Sequence, residues 1–179
     1  MSSKHKLFLA VTATLLSLTA GCADLLTFDL NAQVNEFVVF GDPTLHKQHI
    51  SLDSSEVPAI SMPMTSMAQG SVHLNSLLFY VTETGLSSST DHDGLEFMTA
   101  MVVYAIPNNP HSGLPTIKLA SWNGPAPAGT MVMDMEVDSN VDLNDYIAEG
   151  FSLKIGPAGV VPMDDVTMRG ELTFSVSPL

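Results

Sequence analysis

Methionines are clustered at two places in the sequence, and their sulfur atoms are potential metal ligands. Met62, Met64 and Met67 fall within the phrase SMPMTSMAQG, and a second trio occupies the alternate positions 131, 133 and 135. Thioether sulfur is a soft ligand that suits Cu(I). The first trio therefore predicts a candidate copper site. The second trio lies on the apolar face of an alternating segment, where methionine usually fills gaps in a core.

Side-chain oxygens recur in the stretch DSNVDLNDYIAE, residues 138–149. Positions 1, 3, 5 and 12 of an EF-hand calcium loop are matched there by Asp138, Asn140, Asp142 and Glu149. The glycine that such a loop needs at position 6 is replaced by Leu143, and the preceding residues alternate like a strand. Because the EF-hand pattern fails, two interpretations stay open. The oxygens form a looser calcium site at a strand end, or they form a solvated acidic face.

Residues 22–179 carry no familiar catalytic signature, since GxSxG, SxxK and HExxH are all missing there. We therefore expect that the protein is not an enzyme. The single tryptophan, Trp122 in SWNGPAP, is either a stacking platform for a sugar or an apolar plug at a strand end.

The N-terminal residues have the order of an export signal. Lys4 and Lys6 precede an apolar stretch from Leu7 to Leu18, and small residues follow. A membrane-spanning helix needs roughly 20 consecutive apolar residues, so this stretch is too short for that role. We expect residues 1–21 to be a signal peptide that is removed.

The residues LTAGC, 18–22, contain the only cysteine of the chain and resemble the lipobox of bacterial lipoproteins. In that family, cleavage occurs before the cysteine, whose sulfur carries diacylglycerol and whose new amino group is usually acylated, for example with palmitate. The resemblance covers only the signal peptide. It implies that Cys22 is the lipidated first residue of the mature protein and that the lipid anchor attaches the protein to a membrane. The alternative is ordinary secretory cleavage after Ala20, which leaves a free thiol.

The residue after the cysteine is Ala23. In enterobacterial lipoproteins, an aspartate directly after the cysteine retains the protein in the inner membrane. The resemblance therefore implies an outer-membrane location, with the domain facing the periplasm or the cell surface. Two or three acyl chains hold a protein firmly, whereas one chain gives only reversible attachment.

The mature chain is strongly acidic. Loss of Lys4 and Lys6 with the signal leaves 4 basic residues and 19 acidic ones, so the formal net charge changes from −13 to −15. Nucleic acid is disfavoured as a partner, because binding a phosphate backbone needs clustered Lys and Arg residues. The basic residues that remain are Lys47, Lys118, Lys154 and Arg169.

Alternation of apolar and polar residues predicts short strands along most of the mature chain. These segments are residues 37–40, 71–82, 97–106, 116–121, 131–141, 151–155 and 166–176. The turn sequence GPAG, residues 156–159, is expected to end the sixth of them. The one predicted helix covers residues 143–150, with Asp142 as its cap and Gly150 as its stop.

These segments predict an all-β fold, an antiparallel β-sandwich of immunoglobulin-like or jelly-roll-like type, with a closed barrel as the alternative. We expect residues 1–21 as signal peptide, 22–33 as lipidated N-terminus and tether, and 34–179 as a single domain. The expected function is that of an exported, membrane-anchored binding or structural module for a protein or glycan partner. The alternative is a periplasmic metal-binding protein that uses Ca²⁺ or Cu⁺.

Overall fold

The strands lie in two antiparallel sheets in a computed structural model that describes residues 27–42, 44, 49–51, 56–57, 70–82 and 94–178. In chain order the described elements are β1 (Phe28–Val39), β2 (His49–Ser51), β3 (Glu56–Val57), β4 (Gly70–Val81), β5 (Met98–Pro107), β6 (Ile117–Asn123), β7 (Val132–Asp134), β8 (Glu136–Val137), α1 (Asn144–Glu149), β9 (Phe151–Val160) and β10 (Val166–Pro178). The first sheet has the order β1-β10-β4-β7. The second has the order β2-β9-β5-β6-β8, with β3 also paired to β9.

The two sheets pack face to face around one apolar core and do not close into a barrel. The prediction of an antiparallel β-sandwich is therefore confirmed, and the barrel alternative is wrong. The core draws on both sheets, for example on Phe79 and Phe174 from the first and on Met101 and Ile155 from the second.

Strand β10 shows how the alternating pattern forms the core. Its residues point alternately inwards, where Met168, Leu172 and Phe174 are buried, and outwards, where polar side chains meet solvent. On the inner face, Gly170 takes the place of a side chain because a Cβ there would lie 2.9 Å from Phe79 Cε1. A glycine at this position leaves room for the phenylalanine ring of the neighbouring strand.

The sandwich begins earlier in the chain than residue 34. Strand β1 starts at Phe28, whose Cα partner in β10 is Val176, so the last residues assigned to the tether belong to the first sheet. The inward positions of this part of β1 include the small Ala32 and the half-buried Leu30. Asn31 stands between them, and Asp29 and Gln33 lie on either side, so the segment resembles a polar linker in sequence.

The GPAG turn does not end a strand, because β9 continues through residues 156–159 to Val160. Pro157 pairs with Met101 of β5 on one side. On the other side, the described contacts of β2 are with residues 158–160 and those of β3 are with residues 153–154. Pro157 thus lies between these two short partners, where a missing N–H is tolerated.

Residues 131–141 do not form one strand. β7 pairs with β4 in the first sheet, whereas β8 pairs with β6 in the second, so the segment crosses from one sheet to the other. At the crossing, the Met135 N–H donates to the Leu77 carbonyl at 3.0 Å. Met133 and Met135 are buried as expected for core methionines, but Met131 is exposed, so the prediction that all three pack inwards is wrong for Met131.

Candidate functional site

The acidic stretch 138–149 lies between β8 and the end of α1 and connects two parts of the sandwich. Asp138 and Asn140 lie together in an exposed turn, where Asp138 Oδ1 accepts from the Asn140 backbone N–H at 3.2 Å and from its Nδ2 at 3.4 Å. Asp142 makes contacts of its own, and Glu149 is the last residue of α1. The first two of the four predicted calcium ligands are therefore joined to each other by hydrogen bonds.

The Asp142 carboxylate joins the first sheet to the helix. Its Oδ1 accepts from the backbone N–H of Val72 at 3.0 Å and from that of Asn144 at 3.0 Å. The Val72 carbonyl in turn accepts from the Leu143 N–H at 2.7 Å. Asp142 is not the helix cap, because Leu143 occupies that position without a side-chain hydrogen bond, but Gly150 ends the helix with φ of 77°, as predicted.

No group of three or more His, Cys, Asp or Glu side chains among the described residues could hold a metal ion. The predicted copper ligands Met62, Met64 and Met67 lie outside the described residues, as does Cys22. Copper binding and lipidation at these residues thus stay predictions. No helix in the described part of the chain is long and apolar enough to cross a membrane.

Trp122 is half-buried near the end of β6 and packs against the core. Its ring also covers Gly124, since a Cβ on that glycine would lie 2.1 Å from Trp122 Cη2. This position fits the predicted apolar plug at a strand end better than the predicted stacking platform for a sugar.

A polar network lies on the outer face of the first sheet. The Tyr80 hydroxyl donates to Glu171 Oε2 at 3.1 Å, and Arg169 lies over the Tyr80 ring with Cζ 5.6 Å from the ring centre. Arg169 also approaches Glu171 at 4.0 Å. Desolvation raises the pKa of Tyr80, and the hydrogen bond to Glu171 raises it further. The charges and donors of this network are therefore already matched to one another.

The outer face of the second sheet presents a different group, which we name the basic row: Lys118, Tyr104 and Lys154. Tyr104 of the central strand β5 is the Cα partner of Lys154 in β9 and of Lys118 in β6. Tyr104 and Lys154 are half-buried and Lys118 is exposed. Sequence reasoning placed the three residues on separate strands but missed the row, because the pairing that makes them neighbours is long-range.

An exposed apolar group lies at one end of the sandwich, the end where β1 stops and β10 begins. Val38, Phe40 and Met163 are 42%, 74% and 58% exposed. Their backbones are held together, since the Asp42 N–H donates to the Pro162 carbonyl at 3.0 Å. We name this group the apolar end. Exposed apolar residues that cluster in this way are typical of contact surfaces.

No protein-family model matches the chain, and no curated protein is similar to it. Among solved structures, the decameric BFDV capsid protein is similar to this chain. The match covers 87% of this chain and 99% of the capsid protein, with 13% sequence identity and a TM-score of 0.44. The 60-mer form of the BFDV capsid protein is also similar, and that match covers 86% of this chain and 93% of the capsid protein, with 13% sequence identity and a TM-score of 0.41. Likeness at this level carries no inference about function.

Proposed function

We propose that the protein is an exported lipoprotein of the outer membrane, anchored through lipid on Cys22, whose β-sandwich acts as a binding or structural module. The observation that carries the proposal is the position of β1, which starts at Phe28, shortly after the cysteine of LTAGC. Residues 23–27 are the only connection between them. At no more than about 3.6 Å per residue, they keep the start of β1 within roughly 25 Å of the anchored sulfur.

The short connection would orient the domain on the membrane. The start of β1 shares its end of the sandwich with Val176 and Val72, while the apolar end lies beyond the other end of the same strand. A strand of 12 residues is about 36 Å long at roughly 3.3 Å per residue. Anchoring at Cys22 thus holds one end of the sandwich near the lipid and directs the apolar end outwards, towards a partner.

The formal charge of −15 in the mature chain supports attachment by lipid over attachment by charge. Anionic headgroups attract polybasic segments, and this chain keeps only scattered basic residues. A domain of this charge that stays at a bacterial membrane therefore needs a hydrophobic anchor. Two acyl chains supply it, because each buried methylene contributes about 0.8 kcal/mol.

Metabolic labelling of an expressing bacterium with a palmitate analogue tests the anchor. The wild-type protein is expected to incorporate the label and to sediment with the outer membrane. The variant Cys22→Ala is expected to lose the label, whereas the neighbouring Ala23→Ser, which keeps the cysteine, retains it. Label on the Cys22→Ala protein would show that the anchor is elsewhere, and an unlabelled wild-type protein would overturn the proposal.

A further inference from the structure

We propose that the basic row binds a short sugar acid, that is, an oligosaccharide unit carrying carboxylate or phosphate groups. The inference rests on the proposed function only in that the sandwich is taken to be a binding module. It does not depend on the lipid anchor.

The three side chains of the basic row lie side by side on one face. Tyr104 is directly opposite Lys154 on one side and Lys118 on the other. Neighbouring strands lie about 4.8 Å apart, so the two lysine Cα atoms are about 10 Å apart with the tyrosine between them. Both ammonium groups and the phenol hydroxyl can thus reach a single bound unit from three adjacent positions.

Among the residues that the structure describes, the donors of the basic row have no partner. Neither lysine forms an ion pair or a hydrogen bond within the part of the chain that the structure describes, and the same holds for the Tyr104 hydroxyl. Arg169, the other basic residue described, is engaged with Glu171 and Tyr80 on the opposite sheet. The free cationic groups of the described residues are thus concentrated in one row.

This concentration is informative because the chain is so acidic. Next to Lys154, the backbone position in β3 is Glu56, so the row ends in an acidic residue on that side. The two lysines still outnumber it. In a mature chain with a formal charge of −15, a long polyanion would be repelled by the rest of the surface. The ligand that fits is short and carries its negative charge locally.

The surface beside the basic row suits the flat, apolar face of a sugar ring. The adjacent outward positions are small or aliphatic: Val102 and Ala100 in β5, and Gly156 and Ala158 in β9. Gly156 keeps this surface low, and even a Cβ there would meet only the Val102 carbonyl oxygen, at an ordinary contact distance of 3.7 Å. Tyr104 adds a half-buried ring with a polar tip, the combination that stacks on one ligand face and hydrogen-bonds at its edge.

Binding of three probes to the full mature protein in detergent tests the proposal by calorimetry. The probes are trigalacturonate, which carries carboxylates, the neutral trisaccharide maltotriose, and inorganic phosphate. We expect measurable binding of trigalacturonate that weakens as salt is raised, because the contacts are ionic. No binding of maltotriose is expected, and phosphate alone should bind more weakly because it lacks a ring to stack on Tyr104.

Matched variants separate the basic row from general charge. Lys118→Gln and Lys154→Gln should each weaken trigalacturonate binding by roughly tenfold or more, the usual effect of losing a charged hydrogen bond. Arg169→Gln removes the same charge from the opposite sheet and should change the affinity by less than about twofold. Tyr104→Ala should abolish binding. Tyr104→Phe, which keeps the ring and the packing, should retain part of it.

Several results would overturn the proposal. One is the absence of any heat of binding with trigalacturonate at millimolar concentration. Others are maltotriose or phosphate binding as tightly as trigalacturonate, and a loss of trigalacturonate affinity in Arg169→Gln equal to that in the lysine variants. The proposed function fails separately, because the palmitate label reports on Cys22 and not on the sheet. If the protein binds trigalacturonate but carries no lipid, the lipid-anchor proposal is refuted and the ligand-site proposal stands.

Discussion

Removal of the Asp142 carboxylate should destabilise the sandwich, because this group ties β4 to the start of α1. In Asp142→Ala, the Val72 and Asn144 N–H groups lose the oxygen that accepts from both at 3.0 Å. Val72 is buried, so water cannot easily replace the lost acceptor there. Asn144 lies nearer the surface, where water compensates for most of the loss.

The expected cost follows from these two bonds. A buried donor left without a partner costs about 1–3 kcal/mol, and the more exposed bond adds only a few tenths. The sum is about 1 to 3 kcal/mol. For a domain of this size, each kcal/mol lowers the melting temperature by about 2–4 °C, so Asp142→Ala should melt about 2 to 12 °C below the wild type.

Thermal melts of the mature protein followed by circular dichroism check this value. Asp138→Ala is the matched control, since the described hydrogen bonds of the Asp138 carboxylate are both to Asn140 in an exposed turn, and its melting temperature should fall by no more than about 2 °C. Asp142→Asn keeps an acceptor oxygen and should recover part of the loss. Equal melting of Asp142→Ala and Asp138→Ala would refute the role of Asp142 as a link. If added calcium raises the melting temperature of the wild type but not that of Asp142→Ala, the Asp142 carboxylate is instead a metal ligand.

Three further predictions concern other parts of the chain. Gly159→Ala should destabilise the protein by about 1–3 kcal/mol in urea titrations, since its Cβ would lie 2.1 Å from the Phe97 carbonyl oxygen. Gly156→Ala should be neutral, because the nearest atom to its Cβ would lie at 3.7 Å. Equal effects of the two substitutions would contradict this packing. Burial and Glu171 raise the pKa of Tyr80, so Glu171→Gln should lower that pKa in an NMR titration, and an unchanged value would exclude the contribution of Glu171. A raised tyrosine pKa means that the folded state disfavours the phenolate, so this contribution to stability is complete below pH about 10 and is lost as the pH rises further. Ala23→Asp should move the protein to the inner membrane of an enterobacterial host, as membrane fractionation would show, and retention in the outer membrane would contradict the lipoprotein assignment.

The fold was predictable where one face of a strand is wet and the other dry. β10 and β4 show this alternation, and their bounds agree closely with the prediction. The pattern failed where that contrast is weak. β9 carries Gly156, Pro157 and Ala158 on a sheet whose outer face is itself largely apolar, so its second half resembled a turn. In β1, the polar residues Asp29, Asn31 and Gln33, which alternate with the inward positions, resembled a tether.

The candidate sites were less predictable, because they depend on long-range pairing. The spacing of Asp138, Asn140 and Asp142 fitted a calcium loop, but in the fold Asp142 faces Val72, which is distant in sequence. Similarly, the outward direction of Tyr104 follows from alternation, yet its two lysine neighbours follow only from the register of β5 with β6 and β9. Bulges such as the one between Val103 and Tyr104 set that register, and a single sequence does not reveal them.

Mass spectrometry of the N-terminal peptide of the protein purified from membranes can detect lipid attachment at Cys22. We expect a mature chain that begins at Cys22, with a diacylglyceryl group on its sulfur and an acyl chain on its amino group. A mature chain that begins at Gly21, with an unmodified Cys22 thiol, would contradict it.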